Sequence, residues 1–283
     1  MRNHLRPAFA PMPLSAIRQP DVVEWVGTLQ DKGLAPATIG KAHQLLAGAM
    51  QAAVDAGLIA SSPCRNVPLP QVERHEMRFL THAEIARLAD AMDERYRALV
   101  LVLAYGGLRI GEAIALRPSR LLETRRELEV AETAAWVKGH AHLGPPKTRA
   151  GRRRVALPGP VWDELMTHVA ANAGEWVFPA PSGGLLQPQT WRRRFWTPAT
   201  KGAGLEGLRI HDLRHTAVSL WIEAGADVKR VAGRAGHSSV AFTLDRYGHL
   251  YPDADAALAD RLGEAMHAAN QQSANVVPLE SRR

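Results

Sequence analysis

The sequence predicts a mainly α-helical protein with a small antiparallel β-sheet, an α+β fold. Three observations predict it. Two stretches near the N-terminus carry apolar residues at helical spacing. The middle of the chain breaks into short, partly alternating segments around a Pro/Gly turn. Helical pattern then returns from Val161 onward.

In "QPDVVEWVGTLQDKG" Asp21 is expected to cap a helix whose Val22, Trp25, Val26 and Leu29 share one face, with Gly33 ending it. "PATIGKAHQLLAGAMQAAVDAG" repeats the pattern through Ile39, Leu45, Leu46, Met50 and Val54, stopped by Gly57. "SSPCRNVPLPQVERHEM" has three prolines and no helical period, and reads as a linker. Past it, Thr81 and Glu84 are spaced as a capping box. "RYRALVLVLAYGGLRIGEAIALRP" is an apolar helix, a Gly-Gly break and a second short helix. "RELEVAET", "AAWVKGHAHL" and "RRRVALP" are the expected strands, with "GPPKTRAG" as their turn. From Val161 the helical pattern pauses at "FPAPSGGLLQPQ" and runs to about Ala269, before a loose tail, "NQQSANVVPLESRR".

With 283 residues, 46% hydrophobic and 22% charged, the chain has the length and composition for a globular core. A formal charge of +7 favours a polyanionic partner, of which nucleic acid is the commonest. Cys64 is the only cysteine, so an intrachain disulfide or a Cys-rich zinc module is excluded and a reducing compartment is suited. No apolar run has the length of a membrane span, and the N-terminal "MRNHLRPAFAPMPLSAIRQ", broken by three prolines, is not a secretory signal. The expected location is cytoplasmic. No GxxxxGK[ST] phosphate loop is present.

Five clusters place polar groups where the folding pattern does not require them. "GGLRIGE" carries Arg109 and Glu112 three apart; "PPKTRAGRRR" carries Lys147, Arg149, Arg152, Arg153 and Arg154. "RIHDLRHT" sets His211, Arg214 and His215 at helical spacing, "AGHSS" supplies His237, and "TLDRYGHLYPD" supplies Tyr247 and Tyr251. Each has a plainer reading when taken singly: a surface ion pair, a solvated charge run, a packing histidine, amphipathic core tyrosines. His211 and His215 lack both the glutamate of HExxH and an obvious third ligand, so no metal site is expected.

The ordered set Arg109, Lys147, His211, Arg214, His237 and Tyr247 resembles the catalytic series of the tyrosine recombinases, the phage integrase family. The resemblance runs from about residue 13 to about residue 255 and is carried by "GLRIGE", "HDLRHT", "GHSS" and "TLDRYGHLYPD". It implies a partial helical core-binding domain over 1-72, a catalytic domain over 73-265 and a C-terminal tail over 266-283. It also implies site-specific cutting and rejoining of double-stranded DNA through a 3′-phosphotyrosyl link, without a cofactor. Tyr247 would be the nucleophile and Tyr251 a packing neighbour. Arg109 and Arg214 would bind the phosphate, His211 would take the phenolic proton, and His237 would donate to a phosphate oxygen. Lys147 would protonate the leaving 5′-oxygen, with Lys138 as the fallback. Glu112 and His215 would orient their neighbours, and Arg149, Arg152, Arg153 and Arg154 would contact DNA.

The resemblance further implies a homotetramer on attachment sites, accessory DNA-bending or directionality factors, and a nucleoid-associated location. Family members most like this chain begin with an arm-type domain and a full helical bundle. Met1 falls at what resembles the end of an early helix of that bundle, so the N-terminus is expected to be truncated. Two rival activities stay open: DNA relaxation by a type IB topoisomerase-like cycle, and a truncated non-catalytic DNA-binding remnant.

Overall fold

The computed structural model describes residues 3–72, 76–146, 148–251, 259–260 and 262–267. The tail beyond 267 lies outside them. The chain divides into two compact units, Met1–Glu76 and Met77–Arg283.

The first unit holds helices α1 (Arg6–Phe9), α2 (Gln19–Asp31) and α3 (Pro36–Asp55). Prolines in the first turns of α2 and α3 preset the helical φ where no N–H partner is needed. They also move the start of α2 ahead of its expected cap. Asp21 sits inside the first turn, where its carboxylate accepts the Arg18 N–H at 2.8 Å. Gly33 ends α2 as expected, at φ 71°, a conformation that costs glycine no Cβ clash. Val22, Trp25, Val26 and Leu29 pack with Ile39, Ala42, Leu46 and Met50 of α3. Leu45, expected on that face, is 49% exposed. One step of 100° takes it off the stripe that Leu46 occupies.

In the second unit Thr81 and Glu84 form the expected capping box at the head of α4 (His82–Ala91), with N–H···O distances of 3.2 and 2.9 Å. Helix α5 (Glu94–Gly106) is buried on nearly every side and packs against α4, α7 (Gly159–Ala171) and α10 (Asp212–Glu223). It ends at Gly107, φ 62°, where an added Cβ would lie 2.6 Å from the Trp221 ring. That turn delivers the chain into α6 (Ile110–Ile114).

The strands form two sheets where the sequence suggested a single one. β1 (Leu121–Leu122), β2 (Glu127–Val130) and β5 (Arg153–Ala156) make an antiparallel sheet in the order β1-β2-β5, and β3 (Thr133–Val137) pairs with β4 (His140–Gly144) in a separate two-stranded sheet. Lys138 and Gly139, both at positive φ, close the β3–β4 hairpin in a two-residue turn. Pro145 and Pro146 then remove two ladder donors, so "RRRVALP" pairs with β2 through Val130↔Arg153 and Leu128↔Val155. The expected hairpin position of Lys147 falls outside the described residues.

Helix α8 (Pro188–Trp191) continues through a π turn into α9 (Thr197–Gly202), burying Trp191 and Trp196 in the main core. A second core cluster gathers Ala217, Val218, Trp221 and Ile222 of α10 with α11 (Val228–Ala235) and Tyr247, at the end of α12 (Val240–Tyr247). Among the described residues no helix is long and apolar enough to cross a membrane.

Candidate active site

Arg109 stands at the N-cap of α6, just past the Gly107 turn. Its Nη1 donates to Glu112 Oε1 at 2.8 Å and its Nη2 reaches the Gly236 carbonyl at 3.4 Å. Glu112, with a side chain 2% exposed, accepts the Arg109 N–H on its other oxygen at 2.9 Å. Burial alone would raise this carboxyl. The hydrogen bonds and charge of Arg153, and then Arg109, outweigh burial and hold it below the usual range.

Arg153 differs from its neighbours in the arginine run. Strand alternation turns Arg153 and Val155 to one face and Arg154 to the other. The Arg153 side chain is 6% exposed and donates to both oxygens of Glu112, at 2.9 and 3.2 Å, and to the Arg234 carbonyl at 2.6 Å. It is a tie between β5, Glu112 and the end of α11. Arg152 and Arg154 are exposed, and with part of Arg153 they line an open groove of about 960 Å³ that does not include Tyr247. Lys147 and the side chain of Arg149 lie outside the described residues.

Arg214 is buried, and its guanidinium donates to the Gly107 carbonyl at 2.6 Å and to the Ala235 carbonyl. Both carbonyls come from helix ends, which ties the site to the stops of α5 and α11. Among the described residues its hydrogen-bond partners include no carboxylate, so its charge stays available to an incoming anion. Burial, then the neighbouring Arg109 and Arg153, push it down to about 9, still charged at neutral pH.

His211 stands at the N-cap position of α10 without a side-chain capping hydrogen bond and is exposed. Desolvation, Arg214 and Arg109 lower its pKa. Its backbone is held by the pair beside it: Asp212, buried, accepts the Arg209 N–H at 2.8 Å and the Arg209 guanidinium at 2.7 Å. His215, one turn on, is buried, and desolvation followed by His211 pushes it down to about 4. The two rings meet edge to face at 4.9 Å.

Gly236, at φ 66°, stops α11 and places His237 in the cluster. A Cβ there would lie 2.9 Å from the Ala150 carbonyl. His237 Nδ1 bonds Thr243 Oγ1 at 2.9 Å, and desolvation, Arg214 and Arg109 push its pKa down to about 3. Tyr247 is 2% exposed, its ring parallel to His237 at 6.1 Å and its hydroxyl 2.7 Å from His215 Nδ1. Burial raises the phenol. Tyr251 packs on the outside of the same apolar cluster.

The structure thus brings Arg109, His211, Arg214, His237 and Tyr247 together with Glu112 and His215. Sequence reasoning missed Asp212 and Thr243, and it grouped the half-buried Arg153 with its exposed neighbours Arg152 and Arg154. Asp212 carried a signal, because "RIHD" repeats the i, i+3 spacing of Arg109 and Glu112.

Residues 78–253 match the phage integrase family. The chain belongs to that family. It is a tyrosine-type site-specific recombinase. The recombinase is 31% identical over 272 residues to the putative prophage phiRv2 integrase of Mycobacterium tuberculosis, a match covering 93% of this chain and 72% of that protein. It is 25% identical over 281 residues to the ICEBs1 integrase of Bacillus subtilis, covering 94% of this chain and 76% of that one. In fold it resembles the Tn1549 transposon integrase in complex with a circular intermediate DNA, with TM-score 0.76, 21% identity, and 88% and 87% of the two chains covered. A lambda integrase tetramer bound to a Holliday junction gives TM-score 0.61 at 17% identity, covering 89% of this chain and 69% of that one.

Proposed function

We propose that this recombinase integrates or excises a mobile element by cutting and rejoining double-stranded DNA at specific sites through Tyr247. The supporting observation is the pairing of a buried phenol, set among imidazoles, with Arg214, a buried guanidinium held by carbonyls alone among its described hydrogen-bond partners. Such a guanidinium is matched to a phosphodiester, whose charge grows on the non-bridging oxygens as phosphorus becomes pentacoordinate.

In this reading Arg109 and Arg214 bind those oxygens and His237 donates a further hydrogen bond. The Tyr247 oxygen attacks phosphorus, and its proton passes to the histidine pair of α10. The bond from phosphorus to the 5′-oxygen breaks, and that oxygen takes a proton from Lys147, or from Lys138 at the β3–β4 turn. The DNA 3′-end is then esterified to Tyr247, one proton has been accepted and one supplied, and a 5′-hydroxyl reverses the steps to reseal. Arg152 and Arg154 contact the DNA backbone. By analogy with the integrases solved on DNA, the recombinase works as a homotetramer on two duplexes, with accessory bending or directionality factors, in the nucleoid-bearing cytoplasm.

The test is trapping on a nicked duplex that loses its 5′-hydroxyl fragment after cleavage. The wild type should accumulate a covalent adduct in EDTA, because guanidiniums supply the positive charge. Tyr247→Phe should bind the duplex and form none. Strict dependence on added metal, or an adduct in Tyr247→Phe, would overturn the reading.

A further inference from the structure

Although sequence analysis gave the phenolic proton to His211, the hydroxyl of Tyr247 is hydrogen-bonded elsewhere. His215 Nδ1 stands 2.7 Å from the phenol oxygen, and both side chains are buried. The His211 and His215 rings stand perpendicular, with centroids 4.9 Å apart, and His211 faces solvent. The roles in the bond follow from the protonation states. Burial keeps the phenol protonated and the imidazole neutral, so Tyr247 donates its O–H and Nδ1 accepts, with the ring proton on Nε2.

We propose that His215 holds the attacking oxygen, accepting the Tyr247 hydroxyl at Nδ1 and fixing where the phenol waits before a phosphodiester enters. His211 is then the outer member of the pair. The inference rests on Tyr247 being the nucleophile.

Three features support a role beyond filling a core. The bond joins the second turn of α10 to the last residue of α12, so the helix that carries Arg214 also sets the position of Tyr247. The phenol ring also lies parallel to the His237 ring, with centroids 6.1 Å apart, so imidazoles neighbour both its hydroxyl and its ring. A tyrosine that served only to fill the cluster would not need its hydroxyl, whereas here the hydroxyl has a dedicated buried acceptor at short range.

The experiment measures single-turnover adduct formation on two nicked duplexes, one with the natural 5′-oxygen at the scissile phosphate and one with sulfur in its place. A thiolate leaves without a proton, so the sulfur substrate rescues only defects on the leaving-group side. Asn at 215 offers an amide oxygen near the position of Nδ1, Gln offers one a bond further out, and Leu offers none. His215→Leu should slow attachment about 100-fold on both substrates, and His215→Asn should recover at least about tenfold of that and outpace His215→Gln. Duplex binding and thermal unfolding of each variant separate slow chemistry from poor folding. If His215→Leu does not fold, the Asn and Gln variants decide the matter, and equal rates for them would overturn the proposal. A Leu variant within about threefold of wild type, or one restored by the sulfur substrate, would overturn it as well. Tyr247→Phe runs in parallel, and an adduct there would overturn the nucleophile assignment instead.

Discussion

At the residue scale the site is a balance between clustered guanidiniums and buried carboxylates, of which Glu112 holds two arginines. Glu112→Gln removes that carboxylate and leaves Arg153 buried beside a neutral partner, a loss of about 3–5 kcal/mol when a buried pair is broken on one side. Urea unfolding should show it. The double variant Glu112→Gln with Arg153→Met should regain part of that stability while cleavage stays low, because Arg109 has lost its anchor. A second prediction follows from the histidines. His215 and His237 are buried, with pKa values of about 4 and about 3, against about 6.5 in the unfolded chain. As pH falls below about 6.5 the unfolded chain takes up protons that the folded one refuses, so stability is full above that pH and declines toward about 4 for His215 and about 3 for His237. The slope is about 1.4 kcal/mol per pH unit for each histidine. His237→Asn should make it shallower, measured by urea midpoints between pH 7 and pH 5. The identities of Arg109, Glu112, His211, Arg214 and His237 were legible in the sequence because their motifs are local. The inward turn of Arg153 was not, since three successive arginines give no sign of which one alternation sends to the core.

At the scale of elements, the chemistry is placed by helix ends. Gly107 stops α5 and offers its carbonyl to Arg214, while Gly236 stops α11 and delivers His237. Gly236→Ala forces a Cβ into a left-handed position 2.9 Å from a carbonyl, at a cost of at least about 1–2 kcal/mol. It should shift His237 and reduce cleavage sharply. Gly233→Ala, inside α11 with nothing within 4 Å of the added Cβ, should instead stabilise the protein by about 0.5–1 kcal/mol and leave cleavage unchanged. Thermal unfolding and adduct yield on the two variants check both outcomes. The helices and the capping box at Thr81 were legible through periodicity and cap chemistry. The division of the strands was not, because pairing between β2 and β5 is a contact across the whole β3–β4 hairpin, and alternation does not name a strand's partner.

At the scale of the whole molecule, the excess of positive charge gives the recombinase its affinity for a polyanion, and the site gives that affinity a use. The proposed split of the arginine run is testable there. Each phosphate contact contributes about 0.9 to the slope of log affinity against log salt. Arg152→Gln with Arg154→Gln should therefore flatten the slope by about 2, while Arg153→Met should leave the slope unchanged and lower the cleavage rate. The central claim is that Tyr247, buried among imidazoles, is the residue that joins the DNA. Its most direct measurement is mass spectrometry of the peptides from the adduct trapped on a nicked duplex. The account predicts that the peptide containing Tyr247 carries the 3′-phosphate-linked nucleotide on that residue. A nucleotide on Tyr251, or on any other side chain, would contradict it.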